Sequence, residues 1–150
     1  MIHLDHILEA TNGVLTYAGN QRHFDAFCHD TRQLIPGEMF VAVPGEQGDG
    51  HDYLLDALQR GATGLLLEMR ALASLTDETR ASLERAGVAT IAVADTRVAL
   101  QNYARFILQR WRPTVIAVTG SAGKTSTKEA IDYLLEEIGG GYNNYCFTSQ

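Results

Sequence analysis

The sequence predicts an α/β protein with a largely parallel sheet, and three observations carry that prediction. Short apolar runs alternate along the chain with longer stretches of helical period, the order that builds βα units. The runs MFVAV (39–43), TGLLLE (63–68), VATIAVA (88–94) and TVIAVTG (114–120) are apolar at successive positions, as strands covered on both faces are. Capping residues then stand where the helices should stop or start: Gly61 after the stretch 51–61 and Asp95 before the stretch 96–111.

The first 30 residues are the least patterned. Residues 2–10 are expected to form a short helix, with Ile2, Leu4, Ile7 and Leu8 mostly on one side. VLTYAG (14–19) and HFDAFCHD (23–30) are expected to be short strands joined by a Gly19–Asn20 turn. The strand at 39–43 is bracketed by Pro36–Gly37 and Pro44–Gly45. HDYLLDALQRG (51–61) follows as a helix with Tyr53, Leu54, Ala57 and Leu58 as its apolar stripe. Residues 69–86 are helical in character with a break near Ser74–Asp77. In the helix 96–111, Ala99, Tyr103, Phe106 and Ile107 share a face. Pro113 separates this helix from the run 114–120, and TSTKEAIDYLLEEI (125–138) is the last predicted helix. The Arg112–Pro113 junction is the predicted domain boundary, dividing the chain into 1–112 and 113–150.

Composition narrows the function. A net charge of −6 argues against a nucleic-acid partner held by bulk electrostatics. No apolar run approaches the roughly 18–20 residues of a membrane span, and MIHLDHILEA lacks the basic-then-apolar order of a signal peptide, so a cytoplasmic location is expected. Two cysteines, Cys28 and Cys146, make no disulfide framework. His3, Asp5 and His6, and likewise Cys28–His29–Asp30, read as helix or strand surface in preference to metal sites.

The segment TGSAGKTSTKE (119–129) carries the chemistry. A buried strand that runs into a Gly-rich turn and then a helix gathers backbone N–H groups around one point, where the helix adds partial positive charge. Gly120 and Gly123 permit close backbone approach. Lys124 can reach terminal phosphates, and the Thr125 hydroxyl is placed to ligate Mg²⁺. The general P-loop pattern G-x-x-x-x-G-K-[ST] fails at its first glycine, where Val118 stands, leaving the shorter T-G-S-A-G-K-T. Both lysines of the chain, Lys124 and Lys128, lie in or just after this loop.

TGSAGKTSTKE closely resembles the ATP loop of the Mur ligase family, the ATP-dependent amide-forming enzymes of peptidoglycan assembly. The Ser121–Ala122 pair and Lys128–Glu129 look most like the branch that adds D-alanyl-D-alanine. Upstream, HDTRQLIPGEMFVAVPGEQGDGHDYLLDALQRGATGLLLE (29–68) is similar to the first domain of that branch and its nearest relative, through D-[ST]-R, PG-x-x-F-x-A, D-G-H and a later G-A. VADTRVAL (93–100) fits the entry to that domain's last helix. The resemblance covers roughly residues 25–138.

The resemblance implies a small N-terminal domain that binds the UDP end of a UDP-MurNAc-peptide, followed by the first strand, P-loop and helix of an ATPase domain. It implies ATP contacts at Thr119, Gly120, Ser121, Ala122, Gly123, Lys124, Thr125 and Ser126, with Lys124 stabilising phosphate in catalysis and Thr125 on Mg²⁺. It places Thr31 at a hydroxyl position that meets the nucleotide, and Glu46, Gln47 and Gly48 in the loop lining the uridine pocket. Arg32 and His51 fall in the same blocks; the alternative for them, as for Asp30, is a structural role in fixing the turn and starting the helix. The reaction implied is phosphorylation of the substrate carboxylate by ATP and attack of the D-Ala-D-Ala amine on the acyl phosphate. The family's central domain runs on well past this loop, so the chain reads as an N-terminal part of such a ligase, inactive alone. Alternative readings are a non-catalytic UDP-MurNAc-peptide binding module and the diaminopimelate- or lysine-adding branch. A lone strand at 114–120 would have unpaired edges, so the segment 114–138 is expected to pack on the first domain, to pair with another chain or to be poorly ordered.

Overall fold

The computed structural model describes residues 1–45, 48–112, 114 and 116–138. The chain divides into two compact units, Met1–Arg112 and Pro113–Gln150. In chain order the elements are β1 (Ile2–His3), α1 (Leu4–Thr11), β2 (Val14–Tyr17), β3 (His23–Phe24), β4 (Phe27–Cys28), β5 (Met39–Val41), β6 (Pro44–Gly45), β7 (Gly48–Asp49), a 3-10 turn (Gly50–Tyr53), α2 (Leu54–Gln59), β8 (Gly64–Glu68), α3 (Met69–Ser74), α4 (Asp77–Ala86), β9 (Ala89–Val93), α5 (Thr96–Trp111) and α6 (Lys124–Ile138).

The main sheet of the first unit has strand order β2-β9-β8-β5-β4. The pairs β4–β5, β5–β8 and β8–β9 are parallel, and β2 adds an antiparallel edge against β9. Every residue of β5, β8 and β9 is buried. Alternate residues feed two separate cores, because successive strand side chains point to opposite faces. Phe40, Ala42, Leu65, Leu67 and Ala92 pack with Leu54 and Ala57 of α2 and Leu83 of α4. Met39, Val41, Leu66, Ile91 and Val93 pack with Leu4 and Ile7 of α1, Phe24, and Ala99 of α5. Burial of each such Leu or Ile side chain contributes about 1.5–3 kcal/mol.

The helix boundaries follow from caps. The Thr76 hydroxyl accepts from the Thr79 N–H at 3.2 Å and opens α4, which places the break after α3 at Leu75–Thr76. Asp95 accepts from the Val98 N–H at 2.9 Å and opens α5. Ala99 is buried and Tyr103, Phe106 and Ile107 are half-buried, as their shared face requires.

Four expectations are corrected. The helix expected at 2–10 begins at Leu4, because Ile2–His3 pair with Phe24 and His23 as β1. Residues 14–17 and 23–30 do not pair with each other: β2 hydrogen-bonds to β9, β3 to β1 and β4 to β5. The stretch 51–61 opens as a 3-10 turn before α2, and Tyr53 is 50% exposed instead of lining the apolar stripe. The run 114–120 is not a buried strand where it is described: residues 114 and 116–120 have no regular structure, and all but the half-buried Val118 are exposed. A strand exists only through hydrogen bonds to a neighbour, and no described residue provides one for this run.

Candidate nucleotide sites

In the first unit, the sequence-predicted residues collect at the carboxyl ends of the parallel strands, the edge at which α/β sheets receive ligands. The segment after β4 holds Asp30, Thr31 and Arg32. The Asp30 carboxylate accepts from the Arg32 backbone N–H at 3.0 Å and from its guanidinium, Nε to Oδ1 at 2.9 Å and Nη2 to Oδ2 at 2.6 Å. This two-point pairing, with the backbone bond second, holds the Asp30 carboxyl down at about 2. Asp30 and Arg32 therefore fix their own turn, while the Arg32 side chain remains 83% exposed and open to further contacts. Thr31 is buried. Its hydroxyl, ahead of the Arg60 guanidinium, keeps the Asp56 carboxyl below its ordinary range, so Thr31 faces α2.

The segment after β5 forms a small antiparallel ladder, Pro44 opposite Asp49 and Gly45 opposite Gly48. Gly48 is exposed at its tip, and Glu46 and Gln47 lie outside the described residues. The feet of this hairpin are tied at several points. Thr96, fully buried at the start of α5, donates its hydroxyl to the Ala42 carbonyl at 2.9 Å. The neighbouring Arg97 guanidinium donates to the Pro44 carbonyl. Gly50 donates its N–H to the Val43 carbonyl at 3.1 Å. A Cβ at Gly50 would stand 2.6 Å from the Val43 nitrogen, so only glycine permits this approach.

His51 completes the tie. Its side chain is only 6% exposed. Nε2 accepts from the Glu68 backbone N–H at 2.9 Å, so the ring proton sits on Nδ1, which donates to Asp49 Oδ1 at 2.5 Å. Asp49 also accepts from the His51 backbone N–H at 3.0 Å, and that bond, followed by the ring, holds its carboxyl below the usual value. Both ring nitrogens of His51 are thus used within the protein, where they join the hairpin to the end of β8.

Sequence reasoning does not gather Glu68, Arg70, Asp95 and Arg97 as a group. With Pro44 and Ala94 they line a cavity of about 320 Å³ beside the hairpin. Glu68 is buried and pairs with Arg70. From sequence, Asp95 reads only as a cap and Arg97 only as part of a motif. Charged residues at the ends of two buried strands are a usable signal for such a cavity.

In the second unit, the loop is exposed from Thr119 to Ser126. Gly123 has φ 75° immediately before α6, a conformation that favours glycine. The Gly123 carbonyl accepts from the Thr127 N–H at 2.9 Å and starts the helix. Lys124 Nζ turns back to the Gly120 carbonyl at 2.7 Å, drawing the loop around its own lysine. Thr125 and Ser126 occupy the first turn of α6 with Lys124. The sequence-predicted residues 119–126 are therefore brought together at one helix start.

A family model described as the Mur ligase family, catalytic domain, matches residues 23–107, more than half of the chain. A UDP-N-acetylmuramoyl-tripeptide–D-alanyl-D-alanine ligase from Synechocystis is 40% identical over 123 residues, covering 78% of this chain and 25% of that protein. The ligase of the same name from Escherichia coli is 35% identical over 136 residues, covering 91% and 27%. Among solved structures, MurF from Acinetobacter baumannii superposes with a TM-score of 0.72 at 27% identity, covering 91% of this chain and 27% of that one. MurF ligase from Thermotoga maritima, solved in complex with ADP, gives 0.55 at 32% identity, covering 75% and 23%. The chain spans about a quarter of the length of these relatives. Family model, relatives and structures agree, and the chain belongs to the Mur ligase family.

Proposed function

We propose that this chain supplies the UDP-MurNAc-peptide-binding domain and the opening ATP loop of an ATP-dependent ligase of peptidoglycan synthesis, one that joins D-alanyl-D-alanine to UDP-MurNAc-tripeptide. The observation that carries this reading is the convergence of the Asp30–Arg32 turn and the 44–49 hairpin at the carboxyl ends of β4 and β5. Arg32 and Gly48 are the proposed contacts to the UDP end, together with Glu46 and Gln47 of the same segment in sequence, and Thr31, buried in the fold, is proposed to position the turn that carries Arg32. His51 serves as a positioning residue, since its ring is fully engaged by Asp49 and Glu68. The first domain is 1–112 and the ATP domain opens at 113, in line with the two compact units.

The reading of loop 119–126 as a phosphate site is supported by the glycine-favouring φ of 75° at Gly123 and by the Lys124 ammonium at the same helix start. Lys124 exchanges the Gly120 carbonyl for phosphate oxygens, and Thr125 provides a hydroxyl for Mg²⁺. In the reaction, a substrate carboxylate oxygen bonds to the γ-phosphorus of ATP and ADP leaves. The dipeptide amine then attacks the acyl carbon, loses a proton, and the acyl C–O bond breaks to release phosphate. Lys124 offsets the charge developing on the transferred phosphoryl group.

On this reading the 150-residue chain is expected to bind UDP-MurNAc-tripeptide and not to ligate it. Calorimetric titration with UDP-MurNAc-tripeptide and with UDP tests this, and binding of neither removes the reading; turnover by the purified chain removes the claim that it is inactive alone. A UDP-N-acetylmuramoyl-L-alanyl-D-glutamate–2,6-diaminopimelate ligase from Rhizobium meliloti, 39% identical over 97 residues, supports the second reading, the diaminopimelate-adding branch. Preference for the dipeptide-bearing over the tripeptide-bearing UDP-substrate would favour it. Self-association through 114–138 is part of the proposal, supported by the exposure of Ile116, Tyr133 and Leu134. An elution volume independent of concentration in size-exclusion would exclude it. No helix among the described residues is long and apolar enough to cross a membrane.

A further inference from the structure

Tyr53 is an aromatic residue that the fold leaves half in solvent. It stands in the 3-10 turn after the hairpin, immediately before α2, and is 50% exposed while its neighbour Leu54 is buried. Single exposed apolar side chains are ordinary; the position of this one is not. A Cβ built at Gly48 would stand 3.9 Å from the Tyr53 hydroxyl, so the phenol reaches the tip of the 44–49 hairpin. Arg32 is its second neighbour. Asp30 holds the proton on that guanidinium, by hydrogen bond first and by charge second, and the Tyr53 phenol acts in the same direction. The ring therefore stands beside both segments to which the UDP end is assigned.

The backbone that carries the ring is fixed before and after it. Asp49 accepts from the His51 N–H at 3.0 Å and opens the 3-10 turn. Asp56, in the first turn of α2, is held by the Thr31 hydroxyl and by Arg60, which ties α2 to the Asp30–Arg32 turn. A tyrosine has only two side-chain torsions, so a ring on a fixed backbone loses little freedom when a ligand covers it. The contacts assigned so far also leave a gap: none of Arg32, Glu46, Gln47 and Gly48 carries a ring, and the face of a pyrimidine base is best covered by one.

We propose that Tyr53 is a further binding residue of the nucleotide site, the aromatic face on which the pyrimidine base of the UDP end stacks beside Arg32 and Gly48. This inference rests on the proposed reading of that end of the sheet as the site for UDP-MurNAc-peptide, and it names the group that covers the base.

The test is calorimetric titration of the full chain and of its Tyr53→Phe and Tyr53→Ala variants with UDP and with UDP-MurNAc-tripeptide. Alanine should weaken both ligands by the same factor, about five- to a hundredfold, the worth of one base–aromatic stack. Phenylalanine keeps the ring and should restore most of that loss for both. Leu55→Ala, close by in sequence and also exposed, should bind as the parent chain does. Equal urea midpoints check that the variants fold alike. Intermolecular NOEs from the base H5 and H6 protons of bound UDP to the Tyr53 ring, assigned by comparison with Tyr53→Phe, report the contact itself, which a residue that merely propped the hairpin would not give. A parent chain that binds neither ligand overturns this inference together with the proposed function. Binding by the parent that is unchanged in Tyr53→Ala, a loss as large in Tyr53→Phe or in Leu55→Ala, or absence of the ring-to-base NOEs overturns the stacking contact and leaves the proposed function standing.

Discussion

Replacing His51 by alanine separates a pin from a ligand. In the folded chain the ring spends both nitrogens on the protein, accepting from Glu68 N–H at 2.9 Å and donating to Asp49 at 2.5 Å. Alanine leaves the Glu68 N–H, at the end of a buried strand, without an acceptor, which costs about 1–3 kcal/mol. The lost bond to Asp49 adds less than a buried charge-assisted bond would, because the carboxylate side chain is 42% exposed; about 0.5–1 kcal/mol is the discounted share. The space vacated by a ring only 6% exposed adds a similar amount. The total is about 2–5 kcal/mol, read as a lower midpoint in urea with an unchanged slope. His51→Asn should fall between, since an amide near the Nδ1 position can still meet Asp49 but cannot reach the Glu68 N–H. UDP-MurNAc-tripeptide affinity should weaken in step with the stability loss, as the hairpin spends less time in its binding conformation. A loss of less than about 0.5 kcal/mol together with abolished binding would show that His51 touches the nucleotide and would refute the reasoning.

Three more outcomes follow from the same geometry. Gly50→Ala sets a Cβ 2.6 Å from the Val43 nitrogen and 2.8 Å from its oxygen; backbone must move, a cost of about 1–3 kcal/mol, and limited proteolysis should cut the 44–50 segment faster than in the parent chain. Asp30 and Asp49 both have carboxyls depressed from 3.8 in the fold, Asp30 to about 2. A depressed carboxyl contributes stability that is present above its unfolded value and is lost as pH falls through the folded one, so an acid titration should show loss between about pH 4 and 2, and Asp30→Asn should flatten the lower part of that curve. Lys124→Ala should weaken binding of an ATP analogue by about tenfold or more, the worth of one charge-assisted contact, while leaving UDP-MurNAc-tripeptide affinity unchanged.

Much of the first unit could be read from sequence because its signals are local. Continuous apolar runs need no knowledge of a partner: five successive buried positions at Gly64–Glu68 and again at Ala89–Val93 announce strands covered on both faces. Asp95 and Gly61 mark ends by capping chemistry that acts within one turn. What escaped was long-range. β2 pairs with β9 across more than 70 residues of chain, joined also by the Thr16 hydroxyl on the Thr90 carbonyl, and nothing near Val14–Tyr17 encodes that partner. Strands of two residues, such as β3 and β4, are too short to show a period at all. In the candidate site, the D-T-R and D-G-H blocks were visible as motifs, but their division of labour was not. Whether Arg32 faces a ligand or its own Asp30, and whether His51 faces solvent or Glu68, depends on side-chain geometry that spacing does not carry.

The run TVIAVTG shows the same limit from the other side. Its composition matches that of β8 and β9, yet its described residues are almost all exposed and without regular structure. The difference is not in propensity. β8 is a strand because β5 and β9 flank it and satisfy its backbone on both edges, whereas apolar side chains alone leave those groups to water. Under the proposed reading, the partners for this run belong to the rest of the ATP domain. The loop that follows needs none of them to take shape, because Gly123 at φ 75°, the Lys124–Gly120 bond and the first turn of α6 are contacts within eight residues. The phosphate loop is thus locally encoded while the strand that should present it is not. Supplying the missing strands in trans should therefore order residues 114–120 in hydrogen exchange and change the loop itself far less. Protection that rose equally in both segments would show that the loop, too, takes its form from its partners.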